Sequence, residues 1–272
     1  MVFRSGFFRK TDFIAVILAG GEGSRIGLPF SKCLLPVEEG RPLLLKHINY
    51  LHKAGIREWI FVINPAQADI LKFIAKETPE DTRYHIVLQP APIGISEALM
   101  RAIPHLQEAD NAMILLPDTY MNGENPYEKL KKTHLAQKSP GGVTLCLWSK
   151  ENNFGSLDFV KTSGTLWTEI DPTLKHDSKG WGWGAIAFSV NSLASKESPL
   201  IQKVYRRNEK VIDNMGLLFT EVRKTALKLP YKYCKVKGDR IDCGTIEGFT
   251  KAVNYVGQRV GAKGKAAIKK RK

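Results

Sequence analysis

The chain is poor in cysteine, with four residues in 272: Cys33, Cys146, Cys234 and Cys243. No two of them form a Cys-x-x-Cys pair. That argues against a zinc site and for reduced thiols in a cytosolic protein. Long apolar runs are also missing, and none reaches the length of a membrane span. Residues 1–10 set Arg4, Arg9 and Lys10 around a few phenylalanines, without the apolar stretch and small-residue cleavage site of a secretory leader. The glycine-rich segment near the start has no Gly-Lys-Ser/Thr closure, so it is not a Walker A loop. It is not a clean dinucleotide fingerprint either. The third glycine would fall at Ile26, Gly27 comes one place late, and Glu38 and Glu39 precede a turn instead of ending a strand.

What is present is ordinary globular material with a local excess of positive charge. Hydrophobic residues make up 43% of the chain, enough for a substantial core. The net charge is +14, of which residues 222–240 carry +6 and residues 261–272 another +6. The body is therefore close to neutral. Such a basic segment either binds nucleic acid or is a solvated tail that packs at most on another subunit. No aromatic platform is interleaved with the basic residues, so the solvated reading is preferred and self-association stays open.

Apolar periodicity alternates between strand and helix through the first half. Strands are expected at 13–18, 59–63, 85–88, 112–116 and 142–148. Helices are expected at 43–54, 67–75, 96–106 and 126–137, with Ser96 as an N-cap. This order implies an α/β fold with a mainly parallel sheet covered on both faces. Strands at 157–160, 166–170 and 185–190 suggest a small β-rich insertion, with turns at Ser163-Gly164 and Lys179-Gly180. Helices follow at 200–207 and 213–221, then a strand at 227–236 and a helix at 246–256. The expected organisation is one domain over 1–260, with halves at about 12–140 and 141–260. A mobile basic tail follows at 261–272.

The chemistry concentrates where strands end. Leu18-Ala19-Gly20-Gly21-Glu22-Gly23-Ser24-Arg25-Ile26-Gly27 follows an apolar strand, and Ser31-Lys32-Cys33-Leu34-Leu35-Pro36-Val37 follows it. Glycines let backbone N–H groups approach a phosphate, and two fixed cations, Arg25 and Lys32, suit a polyphosphate. The segment reads as a nucleoside-triphosphate site, against the plainer reading of a strand–turn–helix connection. Asp118, directly after the apolar run 113–116, is either an acidic turn residue or a carboxylate able to hold Mg²⁺ beside a polyphosphate. Asp242 ends a strand two residues before Gly244, which permits a tight turn into a helix that Asp242 or Thr245 can cap. Gln89 and Gly94 bracket a proline-rich loop where an amide can donate to and accept from a base edge.

Leu-Ala-Gly-Gly-x-Gly-x-Arg, then Lys before Leu-x-Pro-Val, resembles the signature of the sugar-1-phosphate nucleotidyltransferase family. The resemblance extends over roughly residues 12–250. It implies a Rossmann-like, GT-A-like nucleotidyltransferase fold that joins an NTP to a sugar 1-phosphate and releases pyrophosphate. It assigns nucleotide binding to Leu18, Ala19, Gly20, Gly21, Gly23, Ser24, Gln89, Pro92 and Gly94. Arg25 and Lys32 become the catalytic cations, and Asp118 and Asp242 the Mg²⁺ ligands. The sugar-phosphate half matches least, with Gly155, Glu169, Lys175, Trp183 and Gly184 as its candidates. Ile170 stands where the family has lysine, so Lys161, Lys175 or Lys179 is left to supply that cation. Ser31 precedes Lys32 where the family usually has proline, and Pro117 precedes Asp118 where it usually has glycine. Trp181 and Trp183 are either a stacking wall for a sugar or core anchors at a sheet edge.

Relatives within the broad fold activate alditol, choline or phosphonate substrates with CTP, or a pterin with GTP. A cytidylyltransferase acting on a non-sugar phosphate or phosphonate is therefore one alternative. A non-catalytic sugar-nucleotide sensor is another, although Arg25, Lys32, Asp118 and Asp242 together exceed what a sensor needs. No added acyltransferase or β-helix domain is expected, and neither base nor sugar is specified.

Overall fold

The first strand, β1 (Thr11–Leu18), is buried at every position from Phe13 to Leu18. A strand reads this way only when both faces of its sheet are covered. It pairs in parallel with β4 (Glu58–Ile63) on one side and with β6 (Ala109–Leu115) on the other. The computed structural model describes residues 11–21, 27–28, 30–91, 93–137, 141–149, 153–154, 158–171 and 180–269.

Between these strands run the small hairpin β2 (Pro36–Glu38) and β3 (Arg41–Pro42), then α1 (Leu43–Lys53). After β4 come α2 (Ala68–Glu77), β5 (Arg83–Leu88) and α3 (Ile95–Ala102). The expected helix from Ser96 to Leu106 is therefore shorter. Pro104 sits in a 3-10 turn over Ile103–Leu106, which ends the α geometry. Ser96 is not the N-cap: it lies inside the helix, fully buried, and Gly94 occupies the cap position.

After β6 the chain forms β7 (Thr119–Met121), α4 (Pro126–Leu135), β8 (Val143–Ser149), β9 (Asn153–Phe154), β10 (Phe159–Ser163), β11 (Leu166–Asp171) and β12 (Trp181–Ser189). It closes with α5 (Val190–Leu193), α6 (Leu200–Arg207), α7 (Met215–Thr225), β13 (Tyr231–Lys235), β14 (Arg240–Asp242) and α8 (Ile246–Lys269). The last helix runs to Lys269, through the segment read as a tail from sequence. The Lys179-Gly180 turn lies partly outside the described residues.

Nine strands make one sheet in the order β10-β11-β13-β8-β12-β6-β1-β4-β5. Pairing is parallel over β6-β1-β4-β5 and between β8 and β13, while β12 runs antiparallel to both β6 and β8. The β-rich segment does not fold apart, because β10 and β11 extend this sheet at its far edge. Apolar clusters cover both faces, one containing Val16, Ile60, Leu99, Phe188 and Phe219, the other Ile17, Leu44, Phe61, Trp59 and Trp148. Each fully buried side chain of this size contributes roughly 1.5–3 kcal/mol.

The topology decides where a ligand binds. From β1 the chain winds outward to β4 and β5, then returns to β6 on the other side of β1. That reversal opens a crevice beyond the carboxyl ends of β1 and β6. A second sheet, β7-β14-β9, stands at its mouth.

Candidate functional site

The glycine turn leaves β1 along its neighbour, with Ala19 N–H donating to the Val62 carbonyl at 2.8 Å. Gln67 Nε2 donates to the Gly21 carbonyl at 2.9 Å and pins the turn from α2. Small residues are required here. A Cβ on Gly20 would stand 2.6 Å from Gln89 Oε1, and one on Gly21 3.1 Å from Lys32 Cε. Lys32 opens a 3-10 turn whose preceding residue is held from below. Ser31 is fully buried, and its N–H donates to Asp69 Oδ2 at 3.0 Å. Its hydroxyl lies 3.1 Å from Cys33 Sγ, whose thiol burial pushes up to about 12.

Asp118 follows β6, and Asp242 ends β14. The two are tied by backbone: β7 and β14 pair antiparallel with Thr119 opposite Asp242, and Cys243 N–H donates to the Asp118 carbonyl at 2.9 Å. Asp242 Oδ1 accepts from Gly244 N–H at 2.8 Å. Helix capping falls to Thr245, whose Oγ1 accepts from Gly248 N–H at 3.1 Å. Lys32 Nζ lies 2.6 Å from Asp118 Oδ2. All three charges converge on Gly244, where a Cβ would lie 3.0 Å from Asp242 Oδ1, 3.3 Å from Asp118 Oδ2 and 3.5 Å from Lys32 Nζ.

Electrostatics separates the two carboxylates. Burial works against the charge on Asp118, yet the Lys32 ammonium beside it holds its carboxyl below the usual range. Burial and the charge of Asp118 together push Asp242 above that range. Behind them is Arg240, 4% exposed, whose guanidinium pKa is pressed down by burial and supported by Asp242 and Asp118. Sequence reading passed over Arg240. The usable signal was its place two residues before Asp242, since alternate residues of a strand share a face.

Two cavities meet at Asp118. The first holds about 230 Å³ and is lined by Leu18, Ala19, Gly20, Gly21, Lys32, Gln89, Gly94 and Asp118, with Ile95 and Ala98 as apolar wall. The Gln89 amide donates to the Gly94 carbonyl at 3.0 Å and to Glu97 Oε2 at 2.7 Å, so its Nε2 is committed within the protein. The second holds about 290 Å³ and is lined by Asp118, Thr119, Asp242, Asp158, Trp183, Asn214 and Arg240.

Trp183 is 7% exposed, and its indole N–H donates to Asp158 Oδ2 at 3.3 Å. Gly184 does not line this cavity, and a Cβ there would meet Trp148 Cζ3 at 2.7 Å and Arg240 Nε at 2.8 Å. It sits at a register shift between β12 and β8 and serves close packing. Glu169 is not brought to the site. Its neighbour Ile170 faces the core, so Glu169 faces outward and pairs with Lys161 at 2.7 Å. Gly23, Ser24, Arg25, Pro92, Gly155 and Lys175 lie outside the described residues. Asn214, which caps α7, and Asp158 carried no sequence signal, because their place in the second cavity depends on long-range packing.

Over 146 residues the chain is 27% identical to bifunctional protein GlmU of Geobacillus thermodenitrificans, covering 53% of this chain and 30% of that protein. It therefore spans about a third of that relative's length. The UTP-bound UGPase of Acinetobacter baumannii superposes with a TM-score of 0.68 at 18% identity, over 95% of this chain and 99% of that one. HddC of Yersinia pseudotuberculosis gives a TM-score of 0.60 at 20% identity, over 89% and 98% of the two chains. At such identities the likeness speaks for the fold, which is the nucleotidyltransferase α/β fold. Residues 15–154 match the MobA-like NTP transferase domain. That match takes in half of the chain, from β1 through the glycine turn, Lys32, Gln89 and Asp118, and the protein accordingly belongs to the MobA-like NTP transferase family.

Proposed function

We propose that this protein transfers the nucleotidyl group of an NTP to a sugar 1-phosphate, releasing pyrophosphate, with Mg²⁺ held by Asp118 and Asp242. The observation that carries this reading is the meeting of two cavities at Asp118, which pairs with Lys32 and is tied through the backbone to Asp242. One cavity is bounded by the glycine turn and Gln89 and suits a nucleotide. The other is bounded by Trp183 and Asp158 and suits a hydroxylated acceptor, with Asp118 at the seam.

The residues fit Mg²⁺. It binds through one or two carboxylates and completes its shell with water and phosphate oxygens. Asp118 and Asp242 offer that much, and among the described residues no third His, Cys, Asp or Glu joins them in a metal-holding group. The ion thus belongs with the nucleotide. When bound, it supplies neutralisation of charge at the α-phosphate.

In this reading the backbone of Gly20 and Gly21 receives the nucleotide and Gln89 faces its base. Lys32 exchanges Asp118 for an α-phosphate oxygen, and Arg25 steadies the departing pyrophosphate. An acceptor phosphate oxygen attacks the α-phosphorus in line, and the bond to the β-phosphate oxygen breaks. The protein makes no covalent bond, so the rate comes from positioning and charge stabilisation. The test is pyrophosphate release with Mg²⁺ for ATP, CTP, GTP, UTP and dTTP against a panel of sugar 1-phosphates. Release that depends on one pair supports the reading. Release only with a non-sugar phosphate would reassign the acceptor, and nucleotide binding with no release would favour a sensor.

A further inference from the structure

Helix α1 sends one polar ring into the core, His47, which is 1% exposed. Its Nε2 lies 2.8 Å from the Thr119 carbonyl oxygen, and its Nδ1 meets the Tyr127 hydroxyl. A carbonyl only accepts, so Nε2 carries the proton. Burial holds the ring pKa down at about 4, so it carries a single proton at neutral pH. Nδ1 is then bare and accepts from Tyr127, whose phenol burial keeps protonated. The bonds therefore run one way, from Tyr127 Oη–H to His47 Nδ1 and from His47 Nε2–H to Thr119. The partner of one ring nitrogen fixes which nitrogen carries the proton.

The carbonyl at the end of this chain occupies a particular place. Thr119 follows Asp118 directly and stands opposite Asp242 in the β7–β14 pairing. Tyr127, in the first turn of α4, is anchored in turn, because Asn125 caps that helix and donates Nδ2–H to the Tyr50 carbonyl of α1 at 2.9 Å. His47 lines neither cavity.

We propose that His47 is a positioning residue for the acidic pair: as a neutral Nε2–H donor it fixes the Thr119 carbonyl, and with it the spacing of Asp118 and Asp242 that a divalent cation requires. The inference rests on the proposed function only in taking a divalent cation as the ligand of that pair.

The test uses the full chain, with Mn²⁺ alone as probe and its free concentration read by electron paramagnetic resonance. Nitrogen NMR of the labelled histidine reads the tautomer. Wild type should show a protonated Nε2 and a bare Nδ1 at neutral pH. In His47→Asn the amide reaches Tyr127 but not Thr119, so Mn²⁺ should bind about 10- to 100-fold more weakly, as when a ligand's outer partner is lost. In His47→Gln the amide nitrogen stands near the Nε2 position and should restore binding close to wild type. A structural role alone would not separate the two amides in this way. If His47→Asn fails to fold, Tyr127→Phe keeps the Nε2 proton on Thr119 but removes the hydroxyl that holds Nδ1, so the ring is held less firmly and Mn²⁺ binding should weaken. A proton on Nδ1 in wild type, or no Mn²⁺ binding by wild type, would overturn the proposal. So would Mn²⁺ binding by His47→Asn, or by Tyr127→Phe in its stead, as tight as wild type. Neither readout needs turnover, so an inactive wild type that binds Mn²⁺ with this tautomer would count against the reaction and not against His47.

Discussion

Replacing Lys32 with methionine removes the cation paired with Asp118 while keeping most of the side-chain volume. Its ammonium is 2.6 Å from Asp118, and the two side chains keep 25% and 20% of their exposure. Removing one partner of a buried ion pair costs roughly 3–5 kcal/mol. The residual exposure and the nearby Arg240 put the expected loss at the lower end, about 3 kcal/mol at neutral pH. The pH dependence then has a definite sign. In wild type the Asp118 carboxyl is depressed, so its contribution is present above the ordinary carboxylate pKa and is lost as pH falls through the folded value. Without Lys32, burial outweighs the remaining help from Arg240 and lifts Asp118 above that ordinary value, so the variant gains stability as acid protonates it. The deficit should be largest near neutral pH and shrink on the way to about pH 4. Urea unfolding of both proteins across that range measures it, and millimolar Mg²⁺ should reduce the neutral-pH deficit by taking the place of the lost charge. A variant as stable as wild type at neutral pH, or a deficit that grows with acid, would mean that Lys32 does not stabilise the Asp118 charge.

Asp242→Asn should raise stability by about 1 kcal/mol at neutral pH, because burial and Asp118 both oppose the charge it removes. The gain should fade as pH drops through the raised folded pKa, and turnover should be lost; a destabilised variant in urea unfolding would contradict this. Gly20→Ala places a methyl group 2.6 Å from Gln89 Oε1, an atom whose amide is held by Gly94 and Glu97. Overpacking of about 1–3 kcal/mol should appear as at least a several-fold rise in nucleotide Kd by calorimetry. Thr245→Ala removes the cap of α8 and should cost about 1 kcal/mol in thermal unfolding, with turnover retained.

Much of the fold was legible because strand and helix periods are local. The apolar run 13–18, the amphipathic spacing over 43–53 and the turn at Gly55 needed no tertiary information. Ser96 misled because its residue type favours caps, whereas packing of α3 against Ile212, whose carbonyl accepts the Ser96 N–H at 3.0 Å, set the helix start one residue earlier. The order of strands was not legible. Placement of β12 between β6 and β8 depends on pairing over long separations, and it is what makes the second half antiparallel. In the site, Gln89, Lys32, Asp118 and Asp242 were readable because each sits at a strand end or turn with a recognisable spacing. His47, Arg240 and Asp69 were not, since each acts through a backbone or a charge brought near by folding. Glu169 lies apart from the others because strand alternation, fixed by the buried Ile170, turns it outward.

Positional labelling distinguishes attack at the α-phosphorus from attack elsewhere on the nucleotide. An NTP labelled at the α-phosphorus and, in a parallel reaction, at the γ-phosphorus is incubated with Mg²⁺, the active acceptor and a pyrophosphatase-free preparation of the protein. The α label should enter the acceptor product, the γ label should leave as pyrophosphate, and Asp118→Asn and Asp242→Asn should abolish both. Appearance of the γ label in the acceptor, or transfer that persists without either carboxylate, would contradict this mechanism.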